Sequence, residues 1–246
     1  MDRVLVCALN GGRAGHPGVP VTSDELAADA VRVVATGATE VHVHPRRRDG
    51  SESLDPDDVA RVVEAIGSAA PGVPVSVTTA QWIEADPRRR VALVSQWPVL
   101  PAYALVNAHE EGAVEVAHVL RERGVAVEAG LFTVLAAELF VRTPLRKLAS
   151  RVVIEPVDRP SLLAMEDANR ILAMLDRYDV GLPRILHGDG PNAWPLLRRA
   201  CQLGLGMRIG FEDTLVLPDG SYAPHNVALV QAALVVAQSS PGASQR

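Results

Sequence analysis

Short apolar runs alternate with longer amphipathic segments along the whole chain. A buried strand is predicted for RVLVCAL (3–9), and the apolar spacing of TSDELAADAVRVVATG (22–37) predicts a helix. Ser23 is the expected N-cap of this helix, and Gly37 is expected to end it. The same patterns predict further strands at 40–44, 73–79, 103–107, 125–130, 151–156, 184–188 and 207–212. They predict further helices near 55–70, 86–96, 112–123, 132–141, 161–178, 191–203 and 223–237.

The order of these elements predicts one architecture. Strands that are separated by helices pair in parallel, through right-handed crossovers. Eight strand–helix units in 246 residues are typical of a closed (β/α)8 TIM barrel rather than of an open doubly wound α/β sheet. No linker or change of composition marks a boundary, so we expect a single domain over residues 1–246. It has a long polar first βα loop at 10–24 and a frayed tail at 239–246.

Composition then excludes several classes of protein. Hydrophobic residues make up 48% of the chain and charged residues 22%, the balance of a globular protein with a large core. The net charge of −5 argues against a nucleic acid or an anionic membrane as partner. The arginine clusters at 46–48 and 88–90 are interpreted as solvated loop faces, and contact with a substrate phosphate is the alternative.

Cysteine usage and the N-terminal segment bear on the cellular compartment. Cys7 and Cys201 are the only two cysteines and form no C-x-x-C pair, so a disulfide framework is not expected. The N-terminal apolar run is too short for a signal peptide, and no run approaches the ~20 residues of a membrane span. We therefore expect a cytoplasmic protein.

The second predicted strand ends in EVHVHPRRRDG (40–50), where two histidines lie one residue apart. This i, i+2 spacing points both side chains to the same side of the strand. Chemistry in such barrels lies at the carboxyl ends of the strands, which is where His42 and His44 fall. The pair predicts a metal site, since a catalytic zinc takes three protein ligands and keeps one position open.

A third ligand is predicted after the eighth strand, in GMRIGFEDTLVLPDG (206–220). Glu212 and Asp213 stand together there, a few residues after Arg208. Taken alone, an acidic pair in a loop is usually solvated. In a closed barrel, however, strand eight pairs with strand one, which neighbours strand two, so Glu212 is expected to approach both histidines. Two histidines and a glutamate with an open position would polarise a carbonyl.

These motifs resemble the β-keto acid cleavage enzymes, of which the 3-keto-5-aminohexanoate cleavage enzyme is the best-known member. The resemblance rests on the His-x-His strand end followed by Arg and Asp-Gly, the late R-x-G-x-E-D and an Asn-Val-x-Leu-Val helix start. It extends from ALNGGR near the N-terminus to NVALVQAA (226–233). It implies a zinc-bearing TIM barrel, usually a homotetramer, that condenses a β-keto acid with acetyl-CoA. The products would be acetoacetate and a new acyl-CoA.

The resemblance also implies roles for individual residues. A β-keto acid can chelate zinc through its keto and carboxylate oxygens, and hydroxyl and amide groups can hydrogen-bond the carboxylate. Capping of a strand end is an equal alternative for the threonine pair. The implied zinc ligands are His42, His44 and Glu212, the activating pair is Arg208 and Asp213, and the substrate-binding residues are Thr78, Thr79 and Asn107.

The chain departs from the family at several positions. Where the aminohexanoate enzyme has an acid that holds the substrate's amine, this sequence has Arg13. An arginine there would repel a cationic substrate and favour a β-keto acid with an anionic or polar far end; a solvated loop arginine is the alternative. On the fifth strand, Glu128 is present but Gly130 replaces a second acid. Glu128 either supports the metal site or is a structural carboxylate.

Two loops bear on which reaction the protein catalyses. The sixth-strand loop EPVDRPS (155–161) lacks the glycine-rich stretch of longer family members, which bears on CoA docking. After the seventh strand, HGDG (187–190) offers either an anion site or a tight βα turn. His187 is either a site residue or a strand-end histidine satisfied by hydrogen bonding.

Three functions follow from these observations. The first is zinc-dependent acyl transfer between acetyl-CoA and a β-keto acid. The second is a metal-dependent aldolase or lyase that needs no CoA, and the third is a non-catalytic barrel that binds a small ligand. CoA dependence separates the first two. The donor set favours zinc, although the Irving–Williams order leaves nickel, cobalt or manganese open.

Overall fold

The strands are short and almost completely buried, because one face of each packs under the helices and the other faces the barrel interior. The computed structural model describes residues 3–13, 15–157 and 159–239. Its strands are β1 (Leu5–Ala8), β2 (Glu40–Val43), β3 (Val75–Thr78), β4 (Tyr103–Asn107), β5 (Ala126–Leu131), β6 (Ala149–Ile154), β7 (Arg184–Leu186) and β8 (Gly206–Ile209).

Parallel pairing runs from β1 through β8 and returns to β1, so the sheet closes into a barrel. The predicted (β/α)8 TIM-barrel fold is therefore confirmed. Strand β1 lies between β8 and β2, with Val6 opposite Arg208 and Ala8 opposite His42. Closure thus brings the last strand next to the strand that carries the two histidines.

The helices form the outer layer and cover the apolar outer faces of the strands. They are α1 (Ser23–Thr36), α2 (Pro56–Ala69), α3 (Pro87–Ser95), α4 (Ala113–Glu122), α5 (Val134–Arg142), α6 (Leu145–Leu148), α7 (Ser161–Arg177), α8 (Ala193–Leu203) and α9 (Asn226–Ser239). A 3₁₀ turn at Gly190–Asn192 precedes α8. The short helix α6 was not predicted from the sequence. No helix among the described residues combines the length and the apolar character needed to cross a membrane.

The start of α1 corrects one prediction. Thr22, not Ser23, is the N-cap, because its hydroxyl accepts a hydrogen bond from the Glu25 N–H. The Glu25 carboxylate accepts the Thr22 N–H in return, which completes a capping box. Gly37 ends the helix as predicted, with a φ of 123° that favours glycine.

Two arginines that were predicted to lie on solvated loop faces, Arg46 and Arg90, are buried. Arg46 donates hydrogen bonds to backbone carbonyls of the first loop and of residue 50. Arg90 is 1% exposed and donates to two backbone carbonyls of neighbouring loops. Both side chains therefore tie loops together. Of the tail predicted to be frayed, Ser239 ends α9, and residues 240–246 lie outside the described residues.

Candidate active site

Alternate residues of each strand face the barrel interior, and those nearest the carboxyl ends form the candidate active site. On β2 this series is Glu40, His42 and then His44, which lies one residue beyond the strand. The interior positions at or just beyond the ends of other strands carry the buried polar residues Thr78, Asn107, Glu155, His187 and Arg208.

His42, His44 and Glu212 converge in one cluster, as the sequence predicts. His42 Nε2 lies 3.7 Å from Glu212 Oε2, and His44 Nε2 lies 3.4 Å from Glu212 Oε1. Ligand-type atoms of the three residues all lie within 4.8 Å of one another. Both histidines are 2% exposed, whereas the Glu212 side chain is 17% exposed, so the cluster opens towards the mouth of the barrel on the Glu212 side.

Two further residues orient the histidine rings. Ser76 Oγ lies 2.9 Å from His42 Nδ1, and the Glu52 carboxylate accepts a hydrogen bond from His44 Nδ1. With Nδ1 engaged in both rings, Nε2 is left to face Glu212. Within the described ranges, His42 Nε2 and Glu212 Oε2 are buried without a hydrogen-bond partner. Such atoms are costly unless a ligand pairs with them, so the donor set fits a divalent metal ion of the zinc type.

Burial and neighbouring charges set the protonation of the metal-free cluster, in which a metal ion would have to displace the proton of His44. Burial lowers the pKa of His42 well below its ordinary value, which keeps its imidazole in the neutral form that binds metals. Burial acts in the same direction on His44, but Glu212 and Glu52 outweigh it and raise the pKa of His44 to about 9. Burial opposes ionisation of Glu212, yet the charges of Arg208 and His44 hold the pKa of that carboxyl well below its usual range.

A buried chain of polar groups supports His42 from below. Ser76 donates a hydrogen bond to Glu128, and Arg151 Nε donates to Glu128 Oε1 at 2.7 Å. Arg151 also forms an ion pair with Glu40 across the barrel. Glu128 thus contacts His42 only through the Ser76 hydroxyl, and it also belongs to a structural ion-pair network. Both interpretations offered by the sequence describe part of its surroundings.

Glu128→Gln is expected to weaken metal binding about 10–100-fold without unfolding the barrel. The amide keeps the shape of the side chain but removes the charge that polarises Ser76 and, through it, His42. Titration against a chromogenic chelator measures the affinity. Asp167→Asn is the matched control, because Asp167 is a buried carboxylate of α7 that pairs with Arg159 and Arg170. Equal affinity in the two variants would contradict the expected support.

Arg208 joins the metal-type cluster to a second acid. Its Nη2 lies 2.6 Å from Glu212 Oε1 and 2.9 Å from Asp213 Oδ1, and its Nε donates to Asp213 Oδ1 at 3.2 Å. The Asp213 side chain is 0% exposed. Its Oδ2 has no hydrogen-bond partner in the part of the chain that the structure describes. The predicted Arg208–Asp213 pair is therefore present as a buried ion pair with one carboxylate oxygen left over.

His187 and Glu155 lie on the far side of Asp213. His187 Nδ1 is 3.5 Å from Asp213 Oδ1, and its Nε2 is 3.4 Å from Glu155 Oε2. The histidine is completely buried, and neither ring nitrogen has a hydrogen-bond partner among the residues described. The interpretation of His187 as a strand-end histidine satisfied by hydrogen bonding is therefore wrong. Burial raises the pKa of Glu155 to about 7.

This raised pKa predicts that Glu155 destabilises the metal-free protein at alkaline pH. The folded state keeps the proton longer than the unfolded state, whose pKa is near 4.5, so the free energy of unfolding falls as pH rises from about 4.5 to about 7. Glu155→Gln removes this loss. We expect its midpoint of thermal unfolding to exceed that of the wild type by roughly 5–10 °C at pH 8. Thermal unfolding followed by circular dichroism should show almost no difference in midpoint between the variant and the wild type at pH 4.5. An equal difference at both pH values would contradict the raised pKa of Glu155.

The first loop holds the turn that carries Glu212. Gly11 has a φ of 56°, and a Cβ there would overlap the Glu212 side chain, so glycine allows this close approach. Arg13, predicted to contact substrate, is half-buried and donates hydrogen bonds to the carbonyl oxygens of Glu212 and Asp213 at 3.1 and 3.3 Å. Its guanidinium charge therefore lies within the loop, directly beside the site.

The two threonines of β3 differ in their surroundings. Thr79 donates its hydroxyl hydrogen to the Leu105 carbonyl at 2.7 Å, which is the capping role offered as the alternative. Thr78 lies two residues after Ser76 and shares its interior face. Its hydroxyl accepts the Ala80 N–H at 3.3 Å, which leaves its own hydrogen for another acceptor.

Asn107 explains why a glycine stands at position 130. A Cβ at Gly130 would overlap Asn107 Oδ1, so the amide occupies the space that a larger residue would need. Asn107 Nδ2 donates to Glu110 Oε1 at 2.8 Å. Its Oδ1 is buried and has no hydrogen-bond partner within the described ranges.

Three residues of the site were missed in the sequence. Ser76 and Glu155 could have been found by extending the i, i+2 rule along β3 and beyond β6, since Ser76 precedes Thr78 by two and Glu155 follows Val153 by two. Glu52 gives no such signal. It reaches His44 because the loop after β2 folds back through an isolated bridge between Arg46 and Glu52.

The chain has the architecture of a (β/α)8 TIM barrel, with this donor set at the carboxyl ends of its strands. The family model of the beta-keto acid cleavage enzymes matches residues 3–241. The chain therefore belongs to the β-keto acid cleavage enzyme family, which confirms the resemblance seen in its motifs.

Individual relatives agree with this membership. The chain is 28% identical over 259 residues to the 3-oxoadipate:acetyl-CoA acetyltransferase of Cupriavidus necator, with 92% of this chain and 85% of that protein covered. It is 22% identical over 240 residues to the 3-keto-5-aminohexanoate cleavage enzyme of Fusobacterium nucleatum, covering 92% and 86%. Both matches span most of each chain, so they relate the whole barrel.

Solved structures show the same fold. The complex of ObcA with oxaloacetate superimposes with a TM-score of 0.69 at 18% sequence identity. The superposition covers 89% of this chain but 63% of the ObcA chain, so the present chain spans less than two thirds of that protein.

Proposed function

We propose that this protein is a zinc-dependent enzyme that condenses a β-keto acid with acetyl-CoA to give acetoacetate and a new acyl-CoA. The observation that carries the proposal is the convergence of His42, His44 and Glu212, with buried acceptor atoms that lack a partner among the described residues. The relative named 3-oxoadipate:acetyl-CoA acetyltransferase supports the reaction type and acetyl-CoA as co-substrate. When bound, zinc supplies a Lewis acid for the reacting carbonyl and its enolate-like charge.

Asp213 is the proposed base that takes a proton from C2 of the β-keto acid. Its Oδ1 is held by Arg208, and its Oδ2 is left to face the substrate. A fixed carboxylate in a water-poor site removes a proton more effectively than one in solvent. Arg208 keeps this carboxylate in place through the buried ion pair.

Thr78 and Asn107 are proposed to bind the substrate carboxylate. The Thr78 hydroxyl hydrogen is free to donate, and Asn107 Nδ2 has a second N–H besides the one given to Glu110. Thr79 is proposed to act by shaping the end of β3, because its hydroxyl hydrogen is given to a backbone carbonyl.

The proposed substrate has an anionic or neutral far end. Arg13 places its guanidinium at the turn beside Asp213, where it repels a cation. The relative from Cupriavidus necator is named for 3-oxoadipate, a β-keto acid with a second carboxylate, and this supports the same direction.

The test is acetoacetate release from acetyl-CoA, measured across β-keto acids with anionic, neutral and cationic far ends. CoA-dependent acetoacetate with the first two groups supports both the reaction and the role of Arg13. Turnover without CoA would replace the acyl transfer by a metal-dependent lyase reaction. Binding without turnover of any β-keto acid would favour a ligand-binding barrel.

The family resemblance also supports a homotetramer in the cytoplasm as part of the proposal. Sedimentation of the purified protein tests the assembly, and a monomer at micromolar concentration would contradict it.

A further inference from the structure

The loop after β2 forms a hairpin at the mouth of the barrel. Its base is the isolated antiparallel bridge between Arg46 and Glu52. Towards its tip, the Arg47 N–H donates to the Ser51 carbonyl at 2.8 Å, and the Gly50 N–H donates to the Arg47 carbonyl at 3.0 Å. Gly50 has a φ of 85°, which allows this tight turn. Backbone hydrogen bonds therefore fix the tip of the hairpin relative to its base.

The buried guanidinium of Arg46 ties the hairpin to the first loop. It donates hydrogen bonds to two carbonyl oxygens of that loop, Gly11 at 2.6 Å and Arg13 at 2.7 Å. It also donates to the Gly50 carbonyl across the hairpin at 2.8 Å. The first arginine of the cluster at 46–48 is thus structural, and it holds the hairpin beside the candidate active site.

The tip presents two guanidinium groups to solvent. Arg47 and Arg48 are exposed, and neither side chain forms an ion pair or a hydrogen bond within the described part of the chain. The carboxylate of Asp49 accepts the Ser51 N–H and hydroxyl at 2.9 and 2.6 Å, so Arg47 acts on it only through its charge. In a chain with a net charge of −5, two adjacent cations on a fixed turn make a local positive site.

Trp82 joins the base of the hairpin to the metal-type cluster. Its indole Nε1 lies 3.4 Å from Glu52 Oε1, and its ring stacks on the His44 imidazole with centroids 6.4 Å apart and planes 24° apart. Trp82 is nevertheless 56% exposed, whereas Trp97 and Trp194 are buried. An exposed indole beside a buried polar cluster offers a flat apolar surface to a ligand that enters the mouth.

We propose that the hairpin and Trp82 form the docking site for the CoA part of acetyl-CoA. The inference rests on the proposed function, in which acetyl-CoA reacts at the metal site. Arg47 and Arg48 bind the phosphates, and the exposed indole of Trp82 packs against the pantetheine arm. The order of groups in this ligand matches the order of groups in the site, because an uncharged arm separates the thioester from the phosphates.

The spacing along the chain also suits this ligand. Arg48 follows His44 by four residues, so the two Cα atoms lie at most about 14 Å apart, and the arginine side chain extends further. Phosphates bound at the tip are therefore held away from the metal by a gap that a ligand has to span, and the pantetheine arm is such a spacer. Guanidinium groups bind phosphates through paired, charge-assisted hydrogen bonds.

The test is the affinity for acetyl-CoA without a β-keto acid, measured by isothermal titration calorimetry. The double variant Arg47→Gln/Arg48→Gln should raise Kd at least about 10-fold, because it loses charge-assisted phosphate contacts. Arg121→Gln/Arg142→Gln is the matched control. It removes the same charge from exposed arginines in the last turns of α4 and α5, at the opposite end of the barrel, and should bind like the wild type.

Smaller ligands separate the phosphates from the arm. Acetyl-pantetheine, which lacks the nucleotide and its phosphates, should bind the wild type and the hairpin double variant with equal affinity. Inorganic phosphate should bind the wild type far more weakly than acetyl-CoA. Equal affinity for these two ligands would indicate a simple anion site and overturn the assignment to CoA.

Tryptophan fluorescence tests the contact with the indole. Acetyl-CoA should quench the emission of the wild type, and Trp82→Phe should abolish the quenching with zinc content unchanged, since Trp97 and Trp194 are buried. Quenching that persists in Trp82→Phe would overturn the contact between Trp82 and the pantetheine arm.

The docking site and the proposed function fail in different ways. An equal Kd for acetyl-CoA in the wild type and in Arg47→Gln/Arg48→Gln overturns the docking site, even if acetoacetate forms. An equal loss in the control double variant also overturns it, because the effect is then one of overall charge. Selective loss in the hairpin variant, with no acetoacetate from any β-keto acid, supports the docking site and overturns the acyl transfer. If the wild type does not bind acetyl-CoA, both proposals are wrong.

Discussion

Replacement of both His42 and His44 by alanine should abolish zinc binding. Because the metal is lost, the turnover rate should fall at least about 10³-fold. The two imidazoles supply two of three candidate ligands, and Glu212 alone cannot hold a divalent ion against solvent. A Lewis acid contributes several kcal/mol to stabilisation of an enolate-like charge, and each 1.36 kcal/mol is tenfold in rate. Elemental analysis after extensive dialysis should show about one zinc per chain in the wild type and almost none in the variant.

The controls separate loss of ligands from loss of fold. His118→Ala removes an exposed histidine of α4 and should retain zinc, which excludes adventitious binding by surface imidazoles. Glu212→Gln preserves the volume of the third candidate ligand and should lose zinc while its circular dichroism matches the wild type. Equal zinc occupancy in the wild type and in the double alanine variant would show that the metal, if present, lies elsewhere.

The architecture was predictable because its signals are local and repeated. Each strand is an apolar run, and each major helix has an apolar face, so the alternation alone indicates the barrel. Closure then places residues from opposite ends of the chain together, which is how Glu212 was expected near His42. The short helix α6 and the N-cap at Thr22 were not predicted, because each depends on backbone geometry over only a few residues.

The site was predictable only where a strand's own spacing reveals the direction of a side chain. His42 and His44 share a face of β2 by the i, i+2 rule, and this part of the prediction matches the structure. Arg13 illustrates the limit, because the path of a long loop decides whether its guanidinium faces substrate or backbone carbonyls. The pairing of Glu155 with His187 likewise depends on the register between β6 and β7, which no single segment encodes.

Asp213→Asn should lower kcat about 10²–10⁴-fold while KM and zinc content stay close to those of the wild type. The amide oxygen can still accept the hydrogen bonds of Arg208, so the shape of the site is kept. What the variant loses is the ability to take a proton from carbon. Steady-state kinetics combined with elemental analysis therefore separates chemistry from metal binding, with Asp167→Asn as a carboxylate control expected to retain both.

The alternative role of Asp213 gives a different pattern. If the carboxylate serves only to position Arg208, and through it Glu212, the asparagine variant should lose zinc in parallel with activity. Added zinc would then restore its turnover, whereas a missing base cannot be restored by metal. An unchanged kcat with full zinc would exclude Asp213 as the base. In the proposed function, acid–base chemistry therefore depends on the buried carboxylate of Asp213, whose Oδ2 has no hydrogen-bond partner among the described residues.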